Sequence, residues 1–173
     1  IDRPEITSFD EDEIAELFYT SGSTGTPKGV MLGHRTLYLH ALAVLGAFNR
    51  DDTGVELHTI PLFHANGWGR PQTAVMNGRK QVMVRRFDPV QVLQLIEQER
   101  ATTMSLVPTM ANSLLNCPEL GRHDTSSLQD IHIGGAAAAP ELIANMEAAF
   151  HCTVMAGYGL TETCPVATGA RTK

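Results

Sequence analysis

Short apolar or β-branched runs alternate with longer stretches of helical periodicity along nearly the whole chain, and this alternation limits the fold more than any other feature. Strand-like runs fall at residues 17–20, 29–32, 55–60, 81–84, 102–107, 131–133 and 153–156. Between them, Leu37, Ala41, Leu45 and Phe48 recur at helical spacing within 34–48, where Gly33 is expected to free the entry conformation. Val92, Leu93 and Ile96 form the buried stripe of a helix with Asp88 as N-cap and Pro89 at its first position. Further helices are expected at 72–76, 109–115 and 140–150. Strands alternating with helices imply βαβ crossovers, hence a three-layer, doubly wound α/β domain with a mostly parallel sheet and helices on both faces. The 173 residues suit one such domain, with no repeat, low-complexity tract or linker to divide it. The polar stretch 168–173 reads as a tail, and a start at Ile1 reads, with that tail, as a cut inside a longer protein.

Charge and cysteine usage exclude several functions. The formal charge of −6, with no basic run of five residues, argues against a nucleic-acid partner. Cys117, Cys152 and Cys164 are odd in number and contain no CxxC pair, so no disulfide framework or zinc ribbon is expected, and a reducing, cytoplasmic setting is. The longest apolar stretch is too short and interrupted to span a bilayer. The seven histidines show no metal-ligand spacing and no Ser-His-Asp or Cys-His arrangement.

Four segments carry chemistry. Residues 19–29, Tyr-Thr-Ser-Gly-Ser-Thr-Gly-Thr-Pro-Lys-Gly, follow a strand with three glycines, several hydroxyls and one lysine. Inward-turned amides, hydroxyls and a cation suit a polyphosphate. It is not a Walker A loop, because Pro27 precedes the lysine and no Ser or Thr follows it. Residues 157–163, Gly-Tyr-Gly-Leu-Thr-Glu-Thr, place an aromatic, a hydroxyl and a carboxylate just past a strand end, where open parallel sheets bind ligands. One carboxylate beside a phosphate site is enough for Mg²⁺. Residues 133–140 hold Gly134-Gly135 and four alanines, small enough for a flat ring to approach the backbone. Residues 61–68, Pro-Leu-Phe-His-Ala-Asn-Gly-Trp, set His64 and Trp68 after another strand, as a pocket border.

Residues 17–28 and 157–163 together resemble the signatures of adenylate-forming enzymes, the superfamily of acyl-CoA synthetases, luciferases and peptide-synthetase adenylation domains. The resemblance implies that Thr20, Ser21, Gly22, Ser23, Thr24, Gly25 and Lys28 close on the β- and γ-phosphates of ATP. It implies that Gly135, Ala136, Ala137, Tyr158 and Gly159 line the adenine, that Thr161 contacts the α-phosphate, and that Glu162 holds Mg²⁺. His64 and Trp68 would border the acyl pocket, with His64, Thr161 and Glu162 as the catalytic set. The His64–Trp68 spacing is similar to that of medium- and long-chain fatty acyl-CoA synthetases, which implies a fatty acid and CoA as substrates with ATP. Residues 1–173 then form the central part of the AMP-binding domain, without an upstream subdomain, the ribose-binding Asp, or a C-terminal domain with its lysine, so the isolated fragment is expected to be inactive. The alternatives are an amino-acid or aryl-acid adenylation domain loading a carrier protein, and a non-catalytic nucleotide-binding module. No acid stands at the start of the pocket segment to hold a substrate ammonium, which favours an uncharged carboxylate.

Overall fold

The computed structural model describes residues 8–22, 25–48 and 54–171. Among these, six strands form the main sheet in the order β4-β3-β5-β6-β7-β8, with β3 (Val55–His58), β4 (Lys80–Met83), β5 (Thr103–Leu106), β6 (Asp130–Ile133), β7 (Thr153–Gly159) and β8 (Val166–Arg171). Strands β3 to β7 run parallel, and β8 is antiparallel to β7. The chain steps from β3 out to β4, then returns past β3 to β5 and continues outward. Right-handed crossovers in opposite directions put their helices on opposite faces, the doubly wound arrangement expected.

On one face, α4 (Pro89–Glu99), α5 (Pro108–Leu115) and α6 (Pro140–Phe150) cover Leu57, Met104, Leu106, Ile131, Ile133 and Val154, all fully or almost fully buried. Each such side chain contributes about 1.5–3 kcal/mol by leaving water, so this face is the stabilising core. Asp88 caps α4 as expected, its carboxylate accepting the Gln91 N–H at 2.9 Å.

The opposite face carries the alternate residues Glu56, His58, Thr103, Ser105, Asp130 and His132, buried or half-buried beneath α1 (His34–Phe48) and α3 (Arg70–Met76). Its strongest tie is a buried bidentate pair, with Arg70 Nε and Nη2 donating to Glu56 Oε1 and Oε2 at 2.7 and 2.6 Å. Arg79 Nη1 stands 3.8 Å from the same carboxylate.

Three expectations are corrected. The run at 17–20 belongs not to the parallel sheet but to a separate two-stranded sheet, β1 (Ile14–Thr20) paired antiparallel with β2 (Lys28–Gly33), closing as Thr20 opposite Lys28. The seven residues joining them suffice for a hairpin but not for a parallel crossover. The run at 153–156 is not the last strand, because residues 166–171, which take in 168–171 of the supposed polar tail, pair as β8 along β7. Gly33 does not free the entry to α1 through an unusual φ. A Cβ there would lie 3.3 Å from the Glu13 carbonyl oxygen, and that carbonyl and Glu11's accept the His34 and Arg35 N–H groups at 3.1 and 2.9 Å. The acidic lead-in therefore supplies the cap that residue 33 cannot.

Candidate active site

A cavity of about 340 Å³ opens between α1, the polar face of the sheet and the loop after β3. Its floor follows from strand register. Ser105, His132 and Met155 pair in one row across β5, β6 and β7. Two residues further along the strands, Gly157 pairs with Gly169, and Gly134 lies beside Gly157, whose carbonyl oxygen would be 3.2 Å from a Cβ on Gly134. A row of glycines thus replaces side chains on this face. The Trp68 indole covers one end, where Cβ atoms on Gly134 and Gly135 would come within 3.2–3.3 Å of it. The Phe48 ring covers the other, 2.5 Å from a Cβ built on Gly169. Between them, a Cβ on Gly157 would meet only two backbone oxygens, each at 3.8 Å.

Trp68 is presented by a short left-handed turn, α2 (Ala65–Trp68), continued by Gly69. Ala65, Asn66, Gly67, Trp68 and Gly69 all have positive φ, from 45° to 68°. Such backbone costs roughly 1–2 kcal/mol for each residue with a Cβ. The turn is held from β1, where Glu16 Oε1 accepts from Asn66 Nδ2 and, at 2.9 Å, from Gln72 Nε2. Burial raises the Glu16 pKa, and these two hydrogen bonds oppose that shift. Arg70, locked to Glu56, anchors the loop's other end and also lines the cavity.

The segment after β7 forms a 3₁₀ turn, Thr161–Thr163. The Thr163 hydroxyl accepts the Leu160 N–H at 3.0 Å and lies within donating reach of the Leu160 and Pro165 carbonyls. His40, on α1, clasps the return to β8 by accepting the Val166 N–H on Nε2 at 3.2 Å. Burial, then the Arg70 charge, lowers the His40 pKa, which favours the neutral ring that can accept this bond. Cys164 is buried and its thiol is pushed up to about 11, by burial first and Glu16 second, so it is no nucleophile at neutral pH.

Of the residues singled out by sequence, Thr20, His64, Trp68, Gly135, Tyr158, Gly159, Thr161 and Glu162 all border this one cavity. Ala136, Ala137, Ser21, Gly22, Gly25 and Lys28 do not line it, and Ser23 and Thr24 lie outside the described residues. Glu162 is exposed, forms no ion pair among the described residues, and is the only carboxylate among those bordering the cavity. No group of three or more His, Cys, Asp or Glu side chains among the described residues could hold a metal alone. A lone free carboxylate beside two threonines fits Mg²⁺ only when phosphate oxygens complete the shell.

Sequence reasoning missed Phe48, Glu56, Arg70, Glu16 and His40. Strict polar–apolar alternation in Val55-Glu-Leu-His58 and Asp130-Ile-His-Ile133 was the available signal. A parallel strand buried under plain helices on both sides reads as continuously apolar.

The open α/β sheet thus brings Thr20, at the base of the β1–β2 hairpin, and the Thr161–Glu162 turn to one cleft. The AMP-binding enzyme family matches residues 2–173, and the chain belongs to it. It is 40% identical over 151 residues to a long-chain-fatty-acid–CoA ligase of Thermus thermophilus, a match covering 86% of this chain and 28% of that protein. It is 36% identical over 160 residues to 4-hydroxybutyrate–CoA ligase 2 of Metallosphaera sedula, covering 91% of this chain and 29% of the relative. O-succinylbenzoate coenzyme A synthetase of Bacillus subtilis, solved in complex with ATP and magnesium ion, superposes with a TM-score of 0.83 at 31% identity, over 98% of this chain and 35% of that one. The chain therefore spans little more than a quarter of the length of these curated relatives. No helix among the described residues is long and apolar enough to cross a membrane.

Proposed function

We propose that this chain is the central part of the ATP-handling domain of a carboxylate–CoA ligase. The carboxylate attacks the α-phosphorus of ATP, giving acyl-AMP and pyrophosphate, and the CoA thiol then displaces AMP to give the thioester. The observation that carries this reading is the meeting of Thr20, Thr161, Glu162, Gly135, Tyr158, His64 and Trp68 around one cavity, although they come from separate parts of the chain.

In this reading, the β1–β2 hairpin loop, with Thr20 at its base and Lys28 opposite, embraces the β- and γ-phosphates. Ser21 and Gly22, together with Ser23, Thr24 and Gly25, supply the intervening donors. Tyr158 stacks along the adenine, whose edge meets Gly135 and the Ala136–Ala137 backbone, and Gly159 leaves room beside it. The Thr161 hydroxyl donates to the α-phosphate, and His64 orients the attacking carboxylate at the cavity mouth. Glu162 would hold Mg²⁺, which when bound neutralises charge on the phosphate oxygens. The protein's share of the rate comes from positioning and from donors fixed before the reaction starts. The fixed elements here are the Thr163 hydrogen bonds, the His40 clasp and the Glu16-held turn.

The acyl chain lies over Gly157, beside Trp68. Glu162 is committed to the phosphates, so no other carboxylate bordering the cavity among the described residues is left to hold a substrate ammonium. That favours fatty and other uncharged acids over amino acids. The test is single-turnover reaction of the full-length enzyme with labelled ATP and straight-chain acids. Acyl-AMP should form without CoA and convert to thioester when CoA is added, and the 173-residue chain alone should form none. Failure of the full-length enzyme to make acyl-AMP from any uncharged acid would overturn the reading.

A further inference from the structure

We propose that Phe48, seated on Gly169, is the end wall of the acyl slot and restricts the enzyme to short- and medium-chain acids. This rests on the reading of the cavity as a carboxylate-activating site and goes beyond it by naming what sets substrate length. The ring is fixed from two sides. Its centroid lies 5.5 Å from that of the His132 imidazole, edge to face at 84°, and it occupies the space that any side chain at position 169 would need. It is half-buried and borders the cavity from the C-terminal end of α1.

The slot's length follows from the sheet. Gly134 on the β6 side and Gly169 on β8 are two strand spacings apart, roughly 10 Å. Trp68 stands over the first and Phe48 over the second, with bare Gly157 backbone between them. An acyl chain entering beside His64 and Trp68 and crossing Gly157 meets the Phe48 ring after about six to eight carbons, on the same spacing. Below the glycine row, His132 and Met155 fill the face, and Ser105 carries a buried hydroxyl with no hydrogen-bond partner among the described residues. Passage downward would set a long alkyl chain against the His132 ring and the unpartnered Ser105 hydroxyl, which disfavours that direction relative to extension past Phe48.

The experiment compares kcat/KM of the full-length enzyme for straight-chain acids from four to sixteen carbons, measured by acid-dependent pyrophosphate release. The parent enzyme should peak near six to eight carbons and fall steeply beyond. Phe48→Ala should move the peak to longer acids and raise the twelve-to-six-carbon ratio by about tenfold or more, since single methylenes in a closed apolar pocket change specificity by roughly 10–200-fold. Phe48→Leu should give a smaller shift in the same direction and carries the test if the alanine variant does not fold. A general structural role would lower all acids together and leave the ratio unmoved. A parent enzyme that prefers sixteen carbons, or unchanged ratios in the folded variants, would overturn the end-wall assignment while leaving carboxylate activation standing. Absence of activation with every acid would instead remove the underlying reading, and this inference with it.

Discussion

Replacing Glu56 by Gln removes the charge that faces two arginines on the cavity side of the sheet. Glu56 is 2% exposed, and Arg70, its bidentate partner, is 7% exposed, so neither can turn to water. Arg79 Nη1, 3.8 Å away, loses the same counter-charge. Removing one partner of a buried pair costs about 3–5 kcal/mol, because the other charge stays buried and uncompensated. In a domain of this size each kcal/mol shifts Tm by roughly 2–4 °C, so the expected loss is roughly 6–20 °C by scanning fluorimetry. The pair need not favour folding over an apolar alternative, so Glu56→Leu combined with Arg70→Met should recover the part of the loss owed to Arg70, while Arg79 still lacks the Glu56 carboxylate. The double variant should still turn over poorly, since Arg70 anchors the loop that presents Trp68. A Glu56→Gln protein melting within about 2 °C of its parent would refute the claim that this pair is a closed, dry anchor.

Two further outcomes follow from backbone and proton geometry. Ala65→Gly should stabilise by roughly 1 kcal/mol, the reverse of its usual sign, because φ at Ala65 is 45° and glycine bears no left-handed penalty; a lower Tm in that variant would contradict the left-handed turn. His40 has a folded pKa below its ordinary 6.5, so its contribution is fully present above 6.5 and is lost as pH falls through the depressed value. As pH falls from 6.5 to about 5, the parent should lose more Tm than a His40→Phe variant, which has neither the titrating ring nor an acceptor for the Val166 N–H; parallel pH profiles would exclude the clasp.

Much of the fold was legible because two periodicities differ so plainly. The stripe Val92, Leu93 and Ile96, and the Asp88-Pro89 start, specify α4 by local rules alone, and α1 and α6 keep the limits read from periodicity. Strand β8 was not legible, since Thr168-Gly169-Ala170 has little intrinsic strand preference and is held only by pairing with β7. The hairpin was readable in principle from its short connection, but an apolar run before a glycine loop looks the same whichever sheet it joins. The motif residues of the candidate site, and the strand-end cleft that Gly135 and Glu162 share, were legible in the sequence; the glycine row and the Phe48 ring that bound the cavity were not. Phe48 read as one more helix-stripe residue, and only the register that brings Gly169 opposite Gly157 shows the ring standing over bare backbone.

In the proposed function, the Thr161–Glu162 turn serves a nucleotide whose α-phosphate is attacked by a carboxylate. Acid-dependent exchange of labelled pyrophosphate into ATP reads that step in isolation, before CoA is involved. Glu162→Gln keeps the shape of the side chain but removes the charge that Mg²⁺ requires. In the full-length enzyme at limiting Mg²⁺, exchange should fall by about a hundredfold or more, the scale set by losing one fixed stabiliser of developing charge, with Tm unchanged because Glu162 is exposed and makes no ion pair among the described residues. Exchange at the parental rate in a folded Glu162→Gln enzyme would exclude Glu162 as the Mg²⁺-holding group.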